Sequence, residues 1–220
     1  MVESLSIQAA RSDSSHPGAV FLDFRAAFPS ISRAYMFMVL ERLLGPASPL
    51  LLALSVLYQV TKATILMLGT TFGEVEMCSG IRQGCPASGS LFVLLLDPWH
   101  KMLIHRIPRS WPYCFADDVA IILGEFFKDF MLLHSMLDIL SLAAALQLNM
   151  SKCVIVPLRP SADLAQWRRL IKFIVPTWSN CSVQRVAKFL GVFIGHDYEA
   201  HIWRKPIAEF TSRVGAINFA

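Results

Sequence analysis

The chain has little charge, no long apolar run, no paired cysteines and no internal repeat, and each lack closes off a class of function. Its five cysteines, Cys78, Cys85, Cys114, Cys153 and Cys181, lie far apart without a CxxC spacing. That excludes a zinc knuckle and a disulfide framework, and fits a reducing intracellular compartment, nucleus or cytoplasm. The longest apolar stretches, around Leu50 to Leu57 and Leu91 to Leu96, are interrupted by Pro49, Asp97 and Pro98. They fall short of the roughly 20 residues that a spanning helix needs, so no membrane partner is expected. Residues 1 to 17 contain the polar, turn-rich Arg11-Ser12-Asp13-Ser14-Ser15-His16-Pro17 and no signal-peptide pattern.

Charged residues make up only 16% of the chain and the mean hydropathy is +0.50. This is apolar for a free-standing domain, and implies a deep core or surfaces that meet other parts. The 220 residues and 24.6 kDa suit one domain with the beginning of a second. A net charge of +4 is mild, and the basic residues form no long run, so charge alone does not indicate nucleic acid. His196 and His201, with Asp197 and Glu199 between them, are five apart and fall on different helical faces, so a solvated segment is expected there rather than a metal site.

Hydrophobic periodicity and turn residues give the element order. A strand is expected at 18 to 24, helices at Ser32 to Leu44 and Ser48 to Tyr58, and a hairpin from Thr64 to Leu68 and Phe72 to Met77. A helix from Ser88 to His105 follows, then strand, turn and strand over Tyr113 to Ile122, and a helix from Phe126 to Leu148. Cys153 to Val156 reads as a strand, Asp163 to Ile174 as a helix, and Val183 to Ile194 as a second hairpin. This order suits an α+β fold, a mainly antiparallel sheet with helices packed on one face, in which the first strand lies beside the hairpin at 113 to 122.

Two adjacent aspartates, Asp117 and Asp118, interrupt the apolar run of that hairpin. Neighbouring carboxylates repel by roughly 4 kcal/mol at the effective dielectric near a protein surface, so something must offset them. They are either turn residues of the hairpin or ligands of a cation. A third acid, Asp23, ends the apolar run Gly18-Ala19-Val20-Phe21-Leu22, and no Lys or Arg occurs from 14 to 24 to partner it. A buried unpaired aspartate is costly. Three such carboxylates could converge on hard cations, and two cations about 3.5 to 4 Å apart can activate one oxygen and stabilise another in nucleotidyl transfer.

Five blocks occur in order: Phe21-Leu22-Asp23-Phe24-Arg25-Ala26-Ala27-Phe28, Ser79-Gly80-Ile81-Arg82-Gln83-Gly84-Cys85-Pro86-Ala87-Ser88, Phe115-Ala116-Asp117-Asp118, Leu148-Asn149-Met150-Ser151-Lys152, and Lys188-Phe189-Leu190-Gly191-Val192. Together, over roughly residues 18 to 195, they resemble the palm of reverse transcriptases, of the type encoded by non-LTR retrotransposons. The resemblance implies a polymerase palm with a ferredoxin-like core over 18–195, a remnant of fingers or linker over 1–17, and the start of a thumb or a connecting segment over 196–220. It also implies that fingers are largely missing and the thumb truncated, as in a piece of a longer polyprotein that holds those regions or an endonuclease.

By that resemblance Asp23 and Asp117, with Asp118, are metal ligands for two Mg²⁺ ions, which Mn²⁺ could replace, and the carbonyl of Phe24 is a further ligand. Phe28 is the aromatic plate under the sugar of an incoming deoxynucleoside triphosphate, where bulk without a hydrogen-bond partner excludes a 2′-hydroxyl. Gln83 and Gly84 contact an RNA template and the nascent base pair, and Pro86 sets the start of the following helix. Lys152 protonates the leaving pyrophosphate. Phe189, Leu190 and Gly191 support the end of a DNA primer, and the basic and aromatic tail from Trp203 tracks a nucleic-acid backbone. The chain departs from the family pattern at Ala26-Ala27-Phe28-Pro29, where many relatives carry a lysine and an aspartate, and at Ala87-Ser88-Gly89-Ser90. The expected activity is RNA-directed DNA synthesis; the alternative is a palm-fold remnant that binds nucleic acid or packs in an assembly without chemistry.

Overall fold

In chain order the computed structural model contains β1 (Gly18–Leu22), α1 (Ala27–Ser30), α2 (Arg33–Leu44), α3 (Pro49–Gln59), β2 (Lys62–Met67), β3 (Thr70–Glu76), α4 (Ser88–Arg106), β4 (Ser110–Phe115), β5 (Asp118–Leu123), α5 (Phe126–Ala144), β6 (Val154–Pro157), α6 (Leu164–Ile174), β7 (Ser182–Val183), β8 (Val186–Phe189), β9 (Val192–Gly195) and α7 (Arg204–Ile217). It describes residues 16–196 and 204–217. The segment after His196 that is expected to be solvated, Trp203 at the start of the basic and aromatic tail, and the residues before His16 lie outside the described residues. The chain divides into two units, one of residues 1–23, 103–134 and 149–220, the other of 24–102 and 135–148.

The first unit is built on a five-stranded sheet in the order β4-β5-β1-β6-β7. All pairings are antiparallel except β6 with β7. β1 is apolar along its whole length because it is covered on both faces, and all five of its residues are buried. One face carries Ala19, Phe21, Ala120, Ile122 and Val156, and the β8–β9 hairpin closes over it with Ala187, Phe189 and Ile194. Helices cover the other face, where Phe126 of α5 and Trp167 of α6 pack against Gly18 so closely that a methyl group there would meet Phe126 Cδ2 at 2.7 Å. Behind them Phe126 stacks on Phe130, 4.7 Å between centroids, and Phe130 meets Trp178 edge-on. The aspartate hairpin and helix α6, with Asp163 as its N-cap, stand where the sequence put them, and the strand expected at 18 to 24 forms but ends at Leu22.

Two expectations change. The segment Val183 to Ile194 is not one hairpin: β7 leaves it to run parallel to β6, and only Val186–Gly195 folds back on itself. The helix from Phe126 stops at Ala144 rather than Leu148, because Ala145 takes a left-handed φ of +59°. Leu146 is buried beyond it and Leu148 bridges to Phe24, so apolar spacing continues where the helix does not.

The second unit is mainly helical, with the β2–β3 hairpin as its only sheet among the described residues. Ser32 caps α2 by accepting from the Tyr35 N–H, and Gly45 at φ +82° closes its far end. Buried polar groups find partners here: the Tyr35 hydroxyl donates to the Leu95 carbonyl at 2.9 Å and the Trp99 indole to the Met136 carbonyl at 3.0 Å. The hairpin is open to solvent along its length and exposes Ile65, Leu66, Met67 and Phe72. Among the described residues, no helix is long and apolar enough to cross a membrane.

Candidate catalytic carboxylate site

Strand register decides which way Asp23 points. Leu22 pairs with Val119 in one neighbour of β1 and Phe21 with Val154 in the other. Carrying each ladder past the end of β1 sets Asp23 opposite Asp118 on one side and Lys152 on the other. Residues opposite one another in antiparallel strands share a face, and this is the face of Phe21 and Ala120, beside the β8–β9 hairpin.

A turn at 149–152 holds the lysine in place. The Asn149 N–H donates to the Asp23 carbonyl at 2.8 Å, and the Lys152 and Cys153 N–H groups donate to the Asn149 carbonyl at 2.9 and 3.1 Å. Ser151 Oγ donates to Asn149 Oδ1 at 2.9 Å. Lys152 Nζ then lies 3.9 Å from Asp23 Oδ2, with both side chains well exposed. An ion pair so long and so wet contributes under about 1 kcal/mol to stability; it leaves the carboxylate oxygens accessible.

The tandem aspartates occupy a tight turn. Phe115 pairs with Asp118, so Ala116 and Asp117 make the loop, with Ala116 at φ +52°. Both aspartates are exposed. Partial burial, then the charge of Asp117, then that of Asp23 push the Asp118 carboxyl above its ordinary range, so the three acids feel one another. Among the described residues, no three His, Cys, Asp or Glu side chains are gathered closely enough to hold a metal ion. The donor chemistry nevertheless fits one: mutually repelling hard oxygen ligands are what Mg²⁺ takes, and it keeps several waters of its own.

A cavity of about 220 Å³ opens at this end of the sheet, lined by Asp23, Asp118, Lys152, Gln184, Lys188 and Phe189 among others. Asp117 is outside its lining. Gln184 and Lys188 escaped the reading of the sequence, although Lys188 opens the last of the five blocks; the available signal was its polar side chain alternating with buried Ala187 and Phe189. Phe189 itself is a core residue, 5.9 Å from Phe21 between ring centroids. Leu190 and Gly191, at φ +48° and +87°, form the exposed turn beyond it.

The remaining expected residues belong to the second unit. Phe24 is buried. Phe28, in α1, is half-buried with its ring 4.7 Å from that of Phe92. The loop from Ser79 is tied to α1 and the residue after it by bonds from the Gly80 N–H to the Ile31 carbonyl and from the Ile81 N–H to the Phe28 carbonyl, both 2.8 Å. Its far end is held by Ser88 Oγ donating to the Arg82 carbonyl. Gln83, Gly84 and Pro86 are exposed on the loop between.

The family described as "Reverse transcriptase (RNA-dependent DNA polymerase)" matches residues 2–194. Among curated proteins, the transposon TX1 uncharacterized 149 kDa protein of Xenopus laevis is 23% identical over 184 residues, which cover 79% of this chain and 13% of that protein. Among solved structures, apo telomerase from Candida tropicalis, truncated from its C-terminal domain, superposes with a TM-score of 0.60 at 10% identity, over 88% of this chain and 36% of that one. Telomerase from Candida albicans, in complex with a fragment of telomeric RNA, gives 0.52 at 9% identity over 88% and 32%. At such identities the two structures attest to the fold, α+β with a mainly antiparallel sheet, and the chain spans a small part of each relative.

Proposed function

The chain belongs to the reverse transcriptase (RNA-dependent DNA polymerase) family, and from that premise we propose that its first unit carries the catalytic acids of a non-LTR retrotransposon polymerase. The likeness to the TX1 transposon protein supports the type of element. The observation that carries the reading is the register that faces Asp23 toward Asp118, together with the elevation of the Asp118 carboxyl by its two acidic neighbours.

The reaction is attack by a primer 3′-hydroxyl oxygen on the α-phosphorus of a deoxynucleoside triphosphate. A phosphorus–oxygen bond forms to the primer as the hydroxyl proton passes to solvent water, the bond to the bridging oxygen of the β-phosphate breaks, and pyrophosphate leaves. Asp23, Asp117 and Asp118 would hold two Mg²⁺ ions, which when bound lower the pKa of the attacking hydroxyl and offset charge on the leaving oxygen. Lys152, held beside Asp23 by the turn at Asn149, would deliver a proton to the pyrophosphate. Lys188, on the wall of the same cavity, adds positive charge toward a phosphorylated ligand. Phe28 as sugar plate, Gln83, Gly84 and Pro86 as template contacts, and Phe189 to Gly191 as primer support follow from the motifs. So does the division into a palm over 18–195 with flanking fingers and thumb segments.

Primer extension on an RNA template with Mg²⁺, comparing the chain with Asp117→Asn, tests this. Extension is expected for the native residue, reduced about 10²- to 10³-fold or more in the variant. Equal extension by both would refute the assignment. A second reading, a palm-fold protein that binds nucleic acid without chemistry, is favoured by the departure from the family pattern at Ala26-Ala27-Phe28-Pro29, beside Asp23, where many relatives carry a lysine and an aspartate. It is supported instead if neither form extends a primer while both bind template.

A further inference from the structure

The second unit contains a cavity of about 400 Å³ whose lining includes Arg33, Lys62 and Arg82 but no carboxylate. Lys62 is already paired with Glu74 at 3.0 Å, leaving two guanidinium charges without an acidic partner among the described residues. Both lie over the ring of Tyr58, Arg33 at 5.4 Å and Arg82 at 5.9 Å from its centroid. Two cations sharing one aromatic ring repel each other, and the ring quadrupole offsets only part of that.

The two arginines are used differently. Arg33 is a clamp: Nε, Nη1 and Nη2 donate to the carbonyls of Gly80, Tyr58 and Ser79 at 3.3, 3.2 and 3.3 Å. Those bonds fix the loop that carries Gln83. Arg82 is held on one edge only, where Nη2 donates to Thr61 Oγ1 at 3.2 Å and to the Val60 carbonyl at 3.4 Å. Its Nε is buried without a hydrogen-bond partner. A buried donor on a charged group is costly to leave unmade; Nη1, which is neither buried in this way nor bonded, leaves the guanidinium a charged donor to offer phosphoryl oxygens on the cavity side.

We infer that this cavity is a phosphate-binding site, in which Arg82 grips the phosphoryl oxygens and Lys62 at the rim adds charge. Resting on the polymerase reading, the phosphate is a backbone phosphodiester of the single-stranded template, because exposed Gln83 lines the same cavity. The other source of the same chemistry is a free nucleoside triphosphate. Arg33 is a positioning residue, since it acts through the loop.

Fluorescence anisotropy on the full chain with a short labelled single-stranded RNA, titrated over a range of salt, tests the site. Arg82→Gln is expected to weaken binding about tenfold near physiological salt and to lower the slope of log affinity against log salt by about 0.7, one single-strand phosphate contact. Lys62→Gln, at an exposed ion pair that folding does not depend on, shifts both in the same direction by less. Arg42→Gln, which removes an exposed arginine of α2 outside the cavity, leaves the slope unchanged. Repeating the titration with a labelled deoxynucleoside triphosphate separates the sources: loss confined to RNA assigns the backbone, and loss confined to the triphosphate assigns the nucleotide. Unchanged affinity and slope for both probes in Arg82→Gln overturn the inference, and if that variant fails to fold, the same result in Lys62→Gln does. Binding is the readout, so the cavity is tested even if the chain extends no primer.

Discussion

Gly80 and Gly84 sit four residues apart in one loop with the same backbone angle, φ +82°, and they should respond differently to a methyl group. A Cβ on Gly80 would lie 2.6 Å from Pro29 Cα and 2.7 Å from Pro29 C, against the Pro29 carbonyl, and backbone cannot swing aside. A Cβ on Gly84 meets nothing within 4 Å. Gly84→Ala therefore incurs the left-handed penalty alone, about 1 kcal/mol. Gly80→Ala incurs it too and must push the loop off α1, weakening the two 2.8 Å bonds from Gly80 and Ile81 at about 1 kcal/mol each. The totals are about 1 and about 3 kcal/mol, which for a chain of this size correspond to falls in Tm of about 2–4 °C and about 6–12 °C. Thermal melts by circular dichroism on the two variants, side by side, read the difference directly. Equal falls would show that the loop is not seated on Pro29, and the positioning of Arg82 and Gln83 argued from that seat would go with it.

Two further outcomes concern the first unit. The Asp118 carboxyl, raised above its ordinary 3.8 by burial and then by Asp117 and Asp23, binds a proton in the folded chain at pH values where the unfolded chain has released it. Stability should therefore fall as pH rises from about 4 through that elevated value. Asp118→Asn should gain Tm relative to the native residue across the same window, and parallel Tm profiles would refute the coupling. Phe189→Ala, which empties a site packed on Phe21, should cost about 3 kcal/mol in denaturant unfolding, whereas Leu190→Ala at the exposed turn should stay within about 0.5 kcal/mol. A comparable loss in both would mean that the hairpin is not anchored through Phe189.

Local patterns in the sequence were enough to place β1, the aspartate hairpin, α4 and α6, because each is a periodic run bounded by its own turn or cap. Asp163 before an amphipathic helix and Gly45-Pro46 after one are such boundaries. What could not be read is whatever depends on distant partners. Nothing local separates Ser182–Val183 from the hairpin after it; a parallel neighbour some way upstream, Val154–Ile155, does. Likewise Leu146 and Leu148 keep a helix-like spacing although the backbone has turned at Ala145. The acids at the site were legible from their apolar surroundings, and their facing relation from the expectation that β1 lies against the hairpin. The pair of arginines on Tyr58 was not, since Arg33, Tyr58 and Arg82 come from three separate segments with no shared motif.

β1 is the middle strand of its sheet, laddered on both edges and covered on both faces. Its side chains alternate between the hairpin and the helices with no slack, so the position of the acid at its end is a matter of parity as much as of sequence. Adding or deleting a single residue between 18 and 22 would rotate that carboxylate to the other face of the sheet, the one that helices cover and that packs on Phe126 and Trp167 at its Gly18 end. Beyond Gly18, where the rings of Phe126 and Trp167 leave no room for a methyl group, substitutions inside the strand can drift as long as they remain apolar. Changes of length cannot, and the number of residues in this strand is thus as strictly constrained as the aspartate it presents.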